Sequence, residues 1–387
     1  MWRSLASNVL TLLVVMLVVA GGVLAWGQRE WNRPGPLAEA VCISVEPGST
    51  MRAVSEDLAE RGAVSSDALF RVGVEYADRT GLLKAGAFRV PEGSSMREIS
   101  EIVTGSGAST CGSEIVHRVG VGGTDTLVRA VDPATGRFAE TARFAAGDPE
   151  PEGYAEALDD PSTRFRIAVS EGVTAWQVAT ALEEAPFLAG DGGPVPAEGS
   201  LAPDSYEVEP GADRADVLAT MQDRQEAILA EAWEERDPSV PLASPEEALI
   251  LASIVEKETA LAEERPEVAG VFVNRLRDGM RLQTDPTVIY GITRGESILG
   301  RGLRRSELDA ETPWNTYRID GLPPTPIANP GRAAIEAALR PAETEALYFV
   351  ADGTGGHAFA ATLEEHNANV ARWRELEAER EAEAVGQ

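Results

Sequence analysis

From Val9 to Trp26 the chain carries no charged side chain and is dominated by Leu, Val and Ala. That run constrains how everything after it can fold. About 20 apolar residues are needed to span a bilayer core, so this stretch is just long enough to do so as a helix. Trp2 and Trp26 are suited to the two interfaces. Arg3 and the free amine on the short side favour a cytoplasmic N-terminus, whereas Arg29 and Arg33 on the far side weaken that bias. The competing reading is a signal peptide cut near Ala20-Gly21-Gly22, but Val23 to Trp26 continue the apolar run past that site. Either reading exports the remainder of the chain.

The 387 residues are enough for two or three domains. With 43% hydrophobic and 25% charged residues, the composition is that of a globular protein rather than a disordered one. The 63 acidic and 34 basic residues give a net charge of −29, which repels phosphate backbones, so nucleic acid is not an expected partner. Cys42 and Cys111 are the two cysteines. Their spacing fits no metal site; in an oxidising compartment they could pair, and the sequence leaves that open.

Past a Pro- and Gly-rich linker a pattern recurs: Val45-Glu46-Pro47-Gly48-Ser49-Thr50, Val90-Pro91-Glu92-Gly93-Ser94-Ser95 and Val169-Ser170-Glu171-Gly172-Val173-Thr174. Each predicts a short strand, a glycine turn, a Ser/Thr cap and an amphipathic helix. The third copy, with Trp176, resembles a LysM-like glycan-binding module. Between the second and third copies, Ile115–Val119, Leu127–Val131 and Arg137–Ala139 read as short strands separated by turns. His117 within them has no second ligand nearby, which favours a structural or surface role over metal binding.

Ser244-Pro245-Glu246-Glu247 is a strong helix start, with a Ser cap, Pro in the first turn and Glu247 completing a capping box. The helix that follows is apolar on nearly every side until Glu256, which shares a face with Leu249, Ala252 and Ser253. A carboxyl at the end of an oily helix resists ionisation, and one that stays protonated near neutral pH can act as a general acid on a glycosidic bond. The same pattern would also arise if Glu256 and Lys257 simply ended the helix in solvent. Glu258 points about 200° around the axis from Glu256. The loops that follow are dense in amides, hydroxyls, aromatic rings and prolines, groups that suit a sugar site held by rigid loops.

Leu251–Thr259 (LASIVEKET), Val271–Gly291 (VFVNRLRDGMRLQTDPTVIYG), Asn315-Thr316-Tyr317, Gly321–Pro324 and Leu347–His357 (LYFVADGTGGH) together resemble the endolytic transglycosylase family known as the MltG or YceG-like proteins. The likeness is close over residues 244–375 and looser before it. It implies an α+β protein: an N-terminal transmembrane helix, small LysM-like βα domains with a β-rich insertion, and a C-terminal α+β catalytic domain. The expected boundaries are residues 1–30 for the cytoplasmic tip and anchor, 41–110 for the N-terminal βα domain and 111–163 for the insertion. Residues 164–212 would form the LysM-like subdomain and 213–380 the catalytic domain.

The resemblance also implies a lytic transglycosylase acting on peptidoglycan glycan strands. It would stand on a single pass in the inner (cytoplasmic) membrane, with its catalytic domain in the periplasm near the peptidoglycan synthases. Glu256 would be the acid/base, and no cofactor or metal is implied. Gln283, Thr284, Asp285, Tyr290, Asn315 and Tyr317 are the expected substrate-binding residues, with loop bracing as the alternative for each. The family's tyrosine before Asn-Thr-Tyr is Trp314 here, and with the hydroxyl gone no hydrogen-bonding role is expected of it. Competing functions are a hydrolase using the same cleft and a non-catalytic glycan-binding scaffold.

Overall fold

The helix that the N-terminal run demands, α1, extends over Trp2–Asn32 in the computed structural model, which describes residues 2–105, 109–160 and 163–385. The side chains of Trp2 and Arg3, and residues 161–162 of the expected insertion, lie outside the described residues. Leu10–Asn32 is the one described segment long and apolar enough to cross a membrane, with a mean hydropathy of 2.4. The chain divides into two compact units.

The first unit holds Met1–Ile115, Leu127–Phe144 and Pro149–Arg164. After α1 come β1 (Val41–Val45), α2 (Met51–Glu60), α3 (Asp67–Tyr76), β2 (Gly86–Val90) and α4 (Met96–Thr104). β1 and β2 pair antiparallel, Val41 opposite Val90 and Val45 opposite Gly86. The first two sequence copies form what their residues dictate. Gly48 and Gly93 take positive φ (81° and 66°), as the turn requires, and Thr50 and Ser95 then cap α2 and α4. Their apolar faces close on a core that includes Ile43, Leu58, Phe70, Val90, Ile99 and Val103. Cys42 and Cys111 are joined in a disulfide.

Three strands follow, β3 (Ser113–Gly120), β4 (Gly123–Asp132) and β5 (Arg137–Ala145), then α5 (Glu152–Asp159), a helix not read from the sequence. Within the first unit the second half of β4 lies beside β5. There the buried Glu114 is paired with Arg129.

The second unit holds Val116–Thr126, Ala145–Asp148 and Phe165–Gln387. Here the sheet runs from the first half of β4 to β3, then to β6 (Arg164–Val169). His117 is buried and structural: Nδ1 meets Thr126 Oγ1 at 3.1 Å and Nε2 meets the Ala181 carbonyl at 2.8 Å. The third copy continues through Gly172 (φ 79°) into α6 (Ala175–Glu184), with Thr174 and Gln177 forming a full capping box. Next come β7 (Leu188–Ala189), β8 (Ser205–Val208), which pairs antiparallel with β6, and β9 (Ala212–Asp213), which pairs parallel with β7.

The rest of this unit is mainly helical: α7 (Arg214–Glu234), α8 (Pro245–Glu258), α9 (Arg265–Arg277), α10 (Asp285–Thr293), α11 (Arg305–Leu308) and α12 (Arg332–Leu339). A hairpin of β10 (Tyr348–Ala351) and β11 (His357–Ala360) precedes α13 (Leu363–Val385). Ser244 caps α8 by accepting the Glu247 amide, while the Glu247 carboxylate turns back to Ala243 N instead of completing the expected box. α8 is central: Ala248 and Ile250–Val255 are all buried, packed with Phe272 of α9 and Ile335 of α12. Only its last turn leaves this core.

Candidate active site

Because α8 is buried up to Val255, the three charged residues of its last turn are delivered to fixed places. Glu256 is not released to solvent, its side chain being only 5% exposed. Oε2 accepts the backbone N–H of Gly331 at 3.0 Å. Oε1 lies 3.5 Å from Nη2 of Arg265, which also reaches Glu171 Oε2 at 3.1 Å. Burial pushes the proton affinity of Glu256 up. The Gly331 amide opposes this, the negative charge of Glu171 adds to it, and the cations Arg265 and Lys257 oppose it.

Two chain segments form the walls. One is the turn of the third copy: the Gly172 carbonyl accepts Lys257 Nζ at 3.1 Å, and a Cβ on Gly172 would lie 3.7 Å from Glu256 Cγ. The other is the proline-rich loop of residues 321–331. Asn329, fully buried, ties the two together: its N–H and Nδ2 donate to the Val173 carbonyl, its Oδ1 accepts Leu201 N, and its carbonyl accepts Gly172 N. Ser253, one turn before Glu256, accepts Ile327 N at 3.0 Å. The prolines and buried hydrogen bonds hold these loops in one arrangement, as a preorganised site needs.

A second carboxyl lies in the same cluster. Glu198 accepts the Ala175 amide at the start of α6 at 2.8 Å and is hydrogen-bonded to the Tyr290 side chain. Burial pushes its pKa up to about 7, against the opposing pull of Ala175 N–H, Tyr290 and the Lys257 charge. Lys257 lies between the two carboxyls electrostatically: burial lowers its pKa, while Glu256 and Glu198 raise it. Tyr290 is pushed up to about 12 by burial and by Glu198. Its ring lies 5.9 Å from that of Trp314, and the Arg294 guanidinium sits 3.6 Å over the Trp314 ring. The Trp314 indole N–H is used within the protein, donating to Thr325 Oγ1 at 3.0 Å.

Of the expected substrate residues, Tyr290 therefore joins the Glu256 cluster, while several others gather around Glu258. Thr284 is buried and its hydroxyl donates to Glu258, a carboxyl whose proton affinity burial also raises. Tyr317 OH donates to Asp285 Oδ1 at 2.7 Å. Asn315 is fully buried and fully occupied: Nδ2 donates to the carbonyls of Glu307, Leu308 and Ala310, and Oδ1 accepts Tyr317 N. It braces its loop and presents nothing to a groove. Gln283 is exposed, with an unusual positive φ of 50°. His357 is tied to Glu264, Nδ1 to Oε2 at 2.8 Å.

Residues 146–372, more than half of the chain, match the YceG-like family. The chain belongs to the YceG-like family. A Bacillus subtilis (strain 168) protein named endolytic murein transglycosylase is 28% identical over 328 residues, covering 84% of this chain and 83% of that protein. A protein of the same name from Streptococcus pneumoniae (strain ATCC BAA-255 / R6) is 26% identical over 343 residues. That alignment covers 86% of this chain, which spans 58% of the pneumococcal protein. A 2.6 Å crystal structure of a yceG-like protein from Listeria monocytogenes is 25% identical, covering 85% of this chain and 98% of that one with a TM-score of 0.43. The residues that reasoning from sequence missed are Glu171, Glu198 and Arg265. Glu171 precedes the glycine of a recurring turn, which was the one available signal.

Proposed function

We propose that this YceG-like chain is an endolytic peptidoglycan lytic transglycosylase, a carbon–oxygen lyase acting on a polysaccharide, with Glu256 as its acid and base. One observation carries the reading: a nearly buried carboxyl at the end of an apolar helix, with raised proton affinity and a single backbone N–H directed at one oxygen. The names of the Bacillus and pneumococcal relatives support the same substrate.

In the proposed reaction Glu256, protonated, gives its proton to the oxygen linking N-acetylmuramic acid to N-acetylglucosamine as the C1–O bond breaks. The muramic C6 oxygen attacks C1 of its own sugar, and its proton passes to the Glu256 carboxylate, which returns to its starting state. No water is consumed, and a 1,6-anhydro end results. Attack from within the same ring has the high effective molarity of an intramolecular step. Such a mechanism needs one carboxyl, unlike the two of most glycoside hydrolases. Tyr290 and Trp314 would offer ring faces to sugar, and Gln283, Asp285 and Tyr317 polar contacts further along a strand.

α1 would be a single-pass anchor in the cytoplasmic membrane with the remainder in the periplasm. There the enzyme would meet nascent strands near the synthases and limit their length. The LysM-like copies would assist in holding glycan.

The test uses the full chain in detergent or nanodiscs with un-crosslinked glycan strands, comparing wild type with Glu256→Gln and reading product masses. The expected products carry anhydro ends, about 18 Da lighter than hydrolysed ends. The variant should lose roughly 10²- to 10⁴-fold in rate. Hydrolysed ends, or a fully active variant, would refute the proposal.

A further inference from the structure

The first unit contains an apolar stripe that its core does not use. On α3, Val72 is 62% and Tyr76 86% exposed, and just after it Leu82 is 51% exposed. How α3 meets α1 indicates which way the stripe faces.

Among the described residues, Ser65, Leu69, Phe70 and Gly73 touch α1 between Gly27 and Trp31. Ser65 Oγ donates to Glu30 Oε1 at 3.0 Å. A Cβ on Gly27 would lie 3.8 Å from Leu69 Cδ1. The rings of Trp31 and Phe70 are 5.9 Å apart, and Gly73 has no room for a side chain because Trp31 lies against it. Ser65, two residues before α3, and Gly73, eight residues further on, meet adjacent residues of α1, Glu30 and Trp31, so the segment between them stays at one level of α1. α3 therefore crosses α1 and does not run along it. It sits at the level where the uncharged segment ending at Trp26 gives way to Gln28 and Arg29.

The rotation of α3 is fixed as well. Phe70 and Val74 face the core. At about 100° per residue, Leu69 is turned roughly 100° from Phe70, and Tyr76 and Val72 lie about 20° and 60° further in the same sense. Leu69 touches Gly27, on the bilayer side of Trp31. The direction that runs from the core past Trp31 to Gly27 thus continues to Tyr76 and Val72.

Resting on the reading of α1 as a membrane anchor, we propose that the Leu69–Val72–Tyr76 face of α3 lies on the surface of the same bilayer that holds α1. A tyrosine with an apolar body and a polar tip suits the headgroup level. Contact over this face restricts the tilt of the first unit on its anchor.

The existing cysteines are disulfide-bonded, so one introduced cysteine gives a single labelling site. The full chain is reconstituted in phosphatidylcholine vesicles with an environment-sensitive fluorophore at Val72→Cys, Tyr76→Cys, Glu56→Cys or Leu17→Cys. Glu56 is the aqueous reference, because it approaches Arg71 (3.9 Å), about 160° around α3 from Leu69. Labels at 72 and 76 should be quenched by headgroup-level nitroxide lipid and shielded several-fold from aqueous iodide relative to 56. Labels at 72 and 76 as open to iodide as at 56, with the Leu17 label quenched by deep nitroxide lipid, would overturn the proposal and leave the anchor intact. A Leu17 label not quenched by lipid would overturn both. Shielding that disappears as lipid is increased over protein would assign the face to a second copy, and also overturn it.

Discussion

The backbone amide of Gly331 donates to Glu256 at 3.0 Å, and the space a side chain on Gly331 would need is already filled by Glu171, whose Oε1 would be 1.9 Å from a Cβ there. The amide can serve the acid only while residue 331 has no Cβ. Gly331→Ala should displace Glu171 or the amide and reduce kcat/KM by at least about tenfold, which corresponds to about 1.4 kcal/mol. If the clash is the cause, adding the same change to Glu171→Ala should cost little more, because the space has been vacated. Rates for the two single variants and the double variant, with circular dichroism to verify folding, decide it; fully additive losses would contradict the account.

The neighbours of Glu256 should move its titration in opposite directions. A general acid works only while protonated, so activity falls as pH rises through its pKa in the folded protein. Glu171 raises that pKa and Arg265 lowers it. Glu171→Gln should therefore shift the alkaline limb of kcat/KM to lower pH, and Arg265→Met should shift it to higher pH. Shifts in the same direction would show that the carboxyl seen in the rate is not the one these residues surround.

Glu198 should be visible in stability. Its pKa rises from 4.5 to about 7 on folding, so between those values the folded chain holds a proton that the unfolded chain has released. The associated stabilisation is fully present below pH 4.5 and is lost as pH rises through about 7, a change of about 3 kcal/mol at most. Glu198→Gln, which can still accept the Ala175 amide, should be the flatter of the two in denaturant unfolding across this range. Parallel pH dependences for wild type and variant would contradict it.

The Cys42–Cys111 bridge closes a loop with a sequence separation of 69. Chain-entropy reasoning gives about 4 kcal/mol of stabilisation for a loop of that length. Reduction, or Cys42→Ala with Cys111→Ala, should lower the unfolding midpoint of the first unit. Its checks are hydrogen exchange in β1 and β2, which should quicken, and in α8, which should not.

Much of this architecture could be read from short-range chemistry. The three turns were legible because glycine and Ser/Thr at fixed offsets act locally, and α8 because its cap and apolar run lie within fifteen residues. The candidate site was legible at Glu256 and little further. Glu171, Glu198 and Gly331 reach α8 across 59 to 85 residues, and apart from the recurring turn at Glu171 the sequence contains no trace of which distant loop will supply a partner. Amides and hydroxyls in loops were ambiguous for a physical reason: they satisfy a buried backbone as readily as a ligand. Asn315 and Thr284 turned inward, where the chain's own carbonyls and Glu258 needed them.

The third strand–turn–helix copy does more than repeat the first two, since it supplies Glu171, Gly172 and the α6 amide around the acid helix. A fragment starting after β9 would keep Glu256 yet leave it facing an empty trench. The turn and the helical region thus form one working part of this chain, since the acid's surroundings come from both.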